Sequence, residues 1–337
     1  MPLWGFVHTP AHLLSQALHP SAQRHHRRRS HQVVYREGRS AVRHYCASAV
    51  PKACFPPLFI VSPLINSYAI LDLSEERSVA LRLARKGVDV YLFDWGRPDA
   101  GDQRLTLDRI DRRLARALAA ARSHAGGGAP PALMGYCIGG TVATIRAACD
   151  PDSVSSLTLL ATPIDFEEGG VLALWAQQDH LPLDAMLEAY GNIPGELLWS
   201  AFDGMHPGNQ VAKLDLVLRK SRDREFLNWF SQLEAWVNDP VDVPGGFYRS
   251  LIQDLYRRNA LLRGELEVHG TTVDLQRMSA PLLVLTASAD EIVPEECSLA
   301  ILDHVASAKK QHLRLPGGHI GCSSGPRSDS QSTSTSM

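Results

Sequence analysis

The sequence lacks the marks of several functional classes. None of its six cysteines (Cys46, Cys54, Cys137, Cys149, Cys297 and Cys322) forms a CxxC pair, and no spacing among them matches a zinc site. At 337 residues the chain is too long to need dense disulfide stapling, which is a small-domain device. No apolar run approaches the ~20 residues of a membrane-spanning helix. Charge of one sign is not in excess either: 34 Lys and Arg stand against 36 Asp and Glu, a formal net charge of −2. Such a balance gives no electrostatic case for a nucleic-acid partner. The opening residues lack the charged region and apolar stretch of a signal peptide, and no internal repeat recurs. A reducing, cytoplasmic setting is expected.

What is present is ordinary globular material, 45% hydrophobic and 21% charged, enough for one large domain or about two smaller ones. The two ends differ from it. Residues 24–29 form a short basic run, Arg-His-His-Arg-Arg-Arg, read as part of a solvated, disordered leader over residues 1–30. From Gly321 onward the text is almost entirely Ser, Thr and other polar residues, so 322–337 is expected to be a disordered tail. The ordered part then runs over residues 31–321.

Inside it, strands and helices alternate. Residues 57–62 are a short apolar run closed by Pro63, a buried strand. Residues 74–86 form a helix with Ser74 as N-cap and Gly87 beyond its end. A strand follows at 88–93, then an Ala-rich amphipathic helix at 107–121 that the triple glycine at 126–128 breaks. Further strands are expected at 154–161, 281–286 and 312–315, with helices at 141–149 and 295–304. Strand–helix alternation implies βαβ crossovers, hence an α/β protein with a mostly parallel sheet. The stretch 163–275 breaks the rhythm. It carries long amphipathic segments without convincing buried strands and reads as a helical cap over the sheet's C-terminal edge, which divides the core into 31–162 and 276–321.

The informative hexamer is Gly135-Tyr136-Cys137-Ile138-Gly139-Gly140. It matches the G-x-S-x-G nucleophile elbow with Cys in place of Ser, between an expected strand and an expected helix. Flanking glycines suit a sharp, crowded strand-to-helix turn, and a thiol at a helix N-terminus is favoured as thiolate. Taken alone, the pentamer is equally compatible with a small buried cysteine in a tight turn. Two further residues separate the readings. Asp290 closes a strand in Ala-Asp-Glu-Ile-Val-Pro, and His319 follows the last strand in Gly-Gly-His-Ile-Gly. Nucleophile, acid and histidine in that order, each after a strand, is the order of α/β hydrolases. His319 is thus the candidate base, Asp290 its orienting partner, and the Ile138 N–H an oxyanion donor. A second donor is expected around Ile65 and Asn66. His180, His206 and His269 fall in the cap and are read as surface or packing residues, and Cys149 as packing.

On these residues the chain resembles the polyhydroxyalkanoate synthases, specifically the short class III catalytic subunit. Matching pieces include Val34-Tyr35-Arg36, the Leu64-Ile65-Asn66 loop with Asp72, and Tyr91-Leu92-Phe93-Asp94-Trp95-Gly96. The cysteine box, Trp236-Val237-Asn238-Asp239, the Asp290 segment and the His319 segment continue it, so the match covers about 33–321. The resemblance implies an α/β-hydrolase fold. It also implies polymerisation of short-chain (R)-3-hydroxyacyl-CoA onto a growing polyester chain with CoA release, through a Cys137-linked thioester and with no cofactor or metal. It implies that Asp290 orients His319 or activates the substrate hydroxyl, and that Asp72 braces the site. A homodimer formed through the cap, a second, non-homologous synthase subunit and association with polyester granules come with it. Two departures stand out: Glu291 where the family usually has His, and the polar tail where the family carries a final helix covering one sheet face. The second departure leads us to expect lowered stability.

Two rivals remain at this level. A Cys-dependent hydrolase of the dienelactone hydrolase type shares a similar elbow, but such enzymes are compact, whereas 153 residues separate Cys137 from Asp290 here. A catalytically impaired granule-associated subunit is the other.

Overall fold

The computed structural model describes residues 31–46, 55–177, 180–205 and 208–324. The basic leader, His206 and the polar segment beyond 324 lie outside them. The expected tail boundary moves outward, because Gly321–Ser324 closes a short helix.

Ten strands are described: β1 (His31–Glu37), β2 (Ser40–Tyr45), β3 (Leu58–Val61), β4 (Val90–Asp94), β5 (Ala132–Tyr136), β6 (Ser156–Leu160), β7 (Glu267–Val268), β8 (Thr271–Thr272), β9 (Leu282–Ala287) and β10 (Lys310–Leu315). Eight of them form one sheet in the order β1-β2-β4-β3-β5-β6-β9-β10, while β7 and β8 pair separately. β2 runs against both of its neighbours, and the remaining pairs of the large sheet are parallel. The sheet is thus mostly parallel, as read from the sequence. Ile60 sits level with Leu92 on one side and Met134 on the other, which brings the C-terminal ends of the central strands together. Strands covered by helices on both faces need apolar residues at successive positions, and Phe59, Ile60 and Val61 are fully buried.

The covering helices are α1 (Val79–Arg85), α2 (Leu107–His124) and α3 (Ile138–Cys149), with α10 (Glu295–Leu299) and α11 (Ile301–His304) near the far edge. α1 starts later than expected. Ser78, not Ser74, caps it, its Oγ accepting from the Leu81 N–H at 2.9 Å, while Ser74 donates to the adjacent Glu76 carboxylate. The single helix expected at 295–304 is two short ones.

Between β6 and β9 the chain leaves the sheet. Among the described residues it forms α4 (Gly170–Ala176), α5 (Leu183–Tyr190), α6 (Gly195–Gly204), α7 (Asn209–Arg219), α8 (Arg224–Val237) and α9 (Gly245–Ser250), followed by a π-helix at Leu251–Arg257 and the β7–β8 hairpin. α8 buries Leu227 and Phe230 against Val217 of α7, and its Trp236 Nε1 donates to the Ser67 carbonyl at 3.1 Å, fixing the cap to the loop after β3.

Candidate active site

β5 ends at Tyr136 and α3 starts at Ile138, so Cys137 takes the whole turn between them. Its φ of 54° and ψ of −134° put a non-glycine residue in the left-handed region. Such a backbone costs about 1–3 kcal/mol and persists only where the surroundings over-determine it. Here they do. Cys137 N–H donates to the Leu160 carbonyl of β6 at 3.0 Å, and Gly140 N–H donates to the Cys137 carbonyl at 2.8 Å. The glycines answer to crowding. A Cβ on Gly135 would stand 2.2 Å from Gly140 Cα, on Gly139 2.4 Å from the Ser62 carbonyl oxygen, and on Gly140 2.0 Å from Thr162 Oγ1. The thiol lies at the start of α3, whose first N–H groups, that of Ile138 included, have no acceptor within the helix.

Asp290 lies beyond the end of β9. Its Oδ1 accepts from the N–H groups of Ile292 and Val293 at 3.0 and 2.8 Å, which explains the Asp-Glu-Ile-Val-Pro segment as a turn closed on its own carboxylate. Oδ2 is left to accept from His319 Nδ1 at 2.7 Å. A carboxylate only accepts, so Nδ1 carries the proton and Nε2 is the nitrogen left free, on a ring that lines the same cavity as Cys137. The imidazole stacks on the Tyr136 ring (centroids 5.4 Å apart, planes 26° apart), while Tyr136 Oη and Cys322 Sγ both donate to the His319 carbonyl, at 3.1 and 3.0 Å. Burial disfavours the charged ring. The Cys137 thiolate and the Asp290 bond outweigh it, so that His319 is pushed up to about 10. Burial also drives the Tyr136 phenol well above its ordinary value.

Two cavities meet at Cys137. One, of about 140 Å³, is apolar and runs under the cap between Ile65, Ile138, Leu198, Phe202, Ile252 and Ile292. The smaller holds Asn66, His319, Ile65 and Ile320 beneath Trp199 and Trp236. Cys137, Asp290, His319, Ile138, Ile65 and Asn66 are thus brought together. Asp72 is not among the cavity residues. It ends a 3₁₀ turn after the Ile65 loop, where its Oδ2 accepts from Tyr45 Oη at 2.7 Å and its N–H donates to the Ala69 carbonyl. His180 is exposed, His269 bonds Asp111, and Cys149 lies at the far end of α3. Tyr136, Trp199, Phe202, Trp236, Tyr248 and Tyr256 went unanticipated. Tyr136 stood beside Cys137 in the hexamer, but the cap residues carry no local signal. Among the described residues, no cluster of His, Cys, Asp and Glu could hold a metal, and no helix is long and apolar enough to cross a membrane.

A family model for the alpha/beta hydrolase fold matches residues 66–326. Among curated proteins the chain is 35% identical over 298 residues to the poly(3-hydroxyalkanoate) polymerase subunit PhaC of Allochromatium vinosum, covering 86% of this chain and 82% of that one. The chain belongs to this polymerase family. The PhaC subunit of Haloferax mediterranei is 36% identical over 300 residues, which cover 88% of this chain. This family member spans only 61% of the Haloferax protein and 63% of the Haloarcula marismortui one. Among solved structures, a hydrolase from Pseudomonas aeruginosa superposes with a TM-score of 0.50 at 17% identity, over 84% of this chain and 88% of that one, a likeness of fold alone.

Proposed function

We propose that the chain polymerises short-chain (R)-3-hydroxyacyl-CoA, such as 3-hydroxybutyryl-CoA, into polyester with release of CoA. The observation that carries this reading is His319, bonded to Asp290, lining one cavity with Cys137, which also opens onto the larger apolar cavity, in a member of the polymerase family. The Cys137 thiolate attacks the thioester carbonyl. The developing oxyanion meets the Ile138 N–H and a donor from the Ile65–Asn66 loop. The CoA thiolate leaves with the proton of the His319 imidazolium, giving CoA and a Cys137-linked acyl thioester. The 3-hydroxyl of a second unit then attacks that carbonyl while His319 Nε2 takes its proton. The ester bond forms, and Cys137 leaves as thiolate. Asp290 keeps the imidazole in the tautomer both halves need, and Asp72 braces the loop that supplies the second donor. A thioester stays activated toward an alcohol, which favours Cys over Ser in this role. The cycle runs on the thioester alone and calls for no cofactor.

The same reading extends to a cytoplasmic homodimer working with a second synthase subunit at the surface of polyester granules. Exposed Leu174, Val211 and Leu218 on the cap support an apolar contact there.

The test is CoA release from (R)-3-hydroxybutyryl-CoA by the whole chain, with and without a second subunit, beside Cys137→Ala. CoA release with insoluble polyester, lost in the variant, is expected. Soluble 3-hydroxybutyrate as sole product overturns the polymerase reading in favour of a hydrolase, and release that survives Cys137→Ala overturns the nucleophile.

A further inference from the structure

One wall of the apolar cavity beside Cys137 comes from α9 and the π-helix that continues it, Leu251–Arg257. A π-helix closes i→i+5 bonds, is rare, and concentrates at functional sites. Its wide turn sets residues about four apart on one face, and Tyr248, Ile252 and Tyr256 all line the cavity. Apart from Cys137, these two tyrosines and Trp175 with its indole N–H, every lining residue is apolar.

Tyr248 is only 6% exposed, so its phenol meets the cavity rather than bulk solvent. Tyr256, half-buried, stands edge-on to Phe166 at 4.9 Å. Both tyrosines open onto the cavity, and neither hydroxyl is hydrogen-bonded to a described residue. Burial pushes the Tyr248 phenol up to about 12. Burial raises that of Tyr256 too, and Cys297, Cys137 and Tyr248 add to it; Tyr256 and Cys137 line the same cavity. A phenol hydroxyl on an apolar wall is a donor for which the protein offers no acceptor. Two of them on one cavity wall call for an oxygen that a ligand brings. With the thioester carbonyl held at Cys137, the next polar atom of a 3-hydroxyacyl group is the oxygen on C3, two carbons further into the cavity.

We propose that Tyr248 and Tyr256 receive the C3 oxygen of the acyl unit on Cys137 and so select 3-hydroxyacyl groups over plain acyl groups. The inference rests on the polymerase reading above. A site built to bond a hydroxyl rejects the analogue lacking it, because its own polar groups are then left unpaired.

The experiment is a single-turnover measurement of CoA release from (R)-3-hydroxybutyryl-CoA and from butyryl-CoA, by the wild type, Tyr248→Phe and Tyr256→Phe, with melting curves for each. The wild type is expected to prefer the hydroxyacyl substrate, and each variant to lose that preference by roughly 10-fold or more. Unchanged preference in both variants overturns this inference while leaving the polymerase reading intact. An equal fall on both substrates assigns the tyrosines to structure and overturns it as well. No release by the wild type from either substrate overturns the polymerase reading, and this inference with it.

Discussion

His319 is under two opposed pressures, burial against its charge and two anions in favour of it, and the anions prevail. Its ordinary value is 6.5 and its value in the fold about 10. For a group raised on folding, the stabilisation from its charge is fully present below about pH 6.5 and is lost as the pH rises toward about 10. Urea midpoints of the wild type and His319→Gln therefore differ most near pH 6, and the gap closes by about pH 10. A gap that widens with rising pH contradicts the assignment. At this scale much was legible. Cys137, Asp290 and His319 each follow a strand, and a parallel sheet gathers its C-terminal strand ends on one edge, so chain order alone predicts their meeting. Tyr136 was not legible as the surface on which the imidazole stacks, because nothing in a hexamer says which loop, some 180 residues on, will return to it.

Single elements are tied to one another by a buried charge cluster away from the candidate site. Asp111 of α2 is fully buried and accepts from Arg146 Nη1 of α3 at 2.8 Å. His269, in the turn between β7 and β8, reaches the same oxygen at 2.9 Å. Removing the carboxylate leaves a guanidinium that is only 9% exposed without its buried anion. Asp111→Ala is expected to cost about 3–5 kcal/mol in chemical denaturation. Asp215→Ala, which breaks a pair on α7 whose members are 54% and 76% exposed, should cost less than about 1 kcal/mol. Comparable losses in the two variants contradict the cluster's role. Strands were the most legible elements, since those buried on both faces read as unbroken apolar runs. β1 and β2 were missed: His31, Gln32, Arg36 and Arg43 give them a mixed text, and β2 holds its place partly through the Arg43–Asp94 pair, at 2.7 Å. Ser74 offered a cap that Ser78 took, and a π-helix differs from an α-helix by a shift in hydrogen bonding that residue type does not encode.

Over the whole molecule, the cavity is where distant segments close on one another. Ile65 follows β3, Ile138 opens α3, Leu198 and Phe202 belong to α6, and Ile292 follows Asp290. No short stretch of sequence specifies a space assembled from such separate pieces, which is why acyl length could be expected from family resemblance but not read from the residues. Its size now bears on the question. About 140 Å³ is close to a cavity that accepts a benzene-sized ligand, enough for a four-carbon acyl unit, whereas a long one must extend out of it or displace the cap. Forcing extra methylenes into a packed space costs about 1–3 kcal/mol, so kcat/KM for the four-carbon hydroxyacyl-CoA should exceed that for a ten-carbon one by roughly 10-fold or more. Leu198→Ala takes a side chain from the cap side of the wall, and should move the preference toward longer chains while slowing the short substrate. CoA-release rates on the two substrates decide it. A wild type that prefers the ten-carbon chain would mean that the cap opens under load, and the cavity would then set no limit on length.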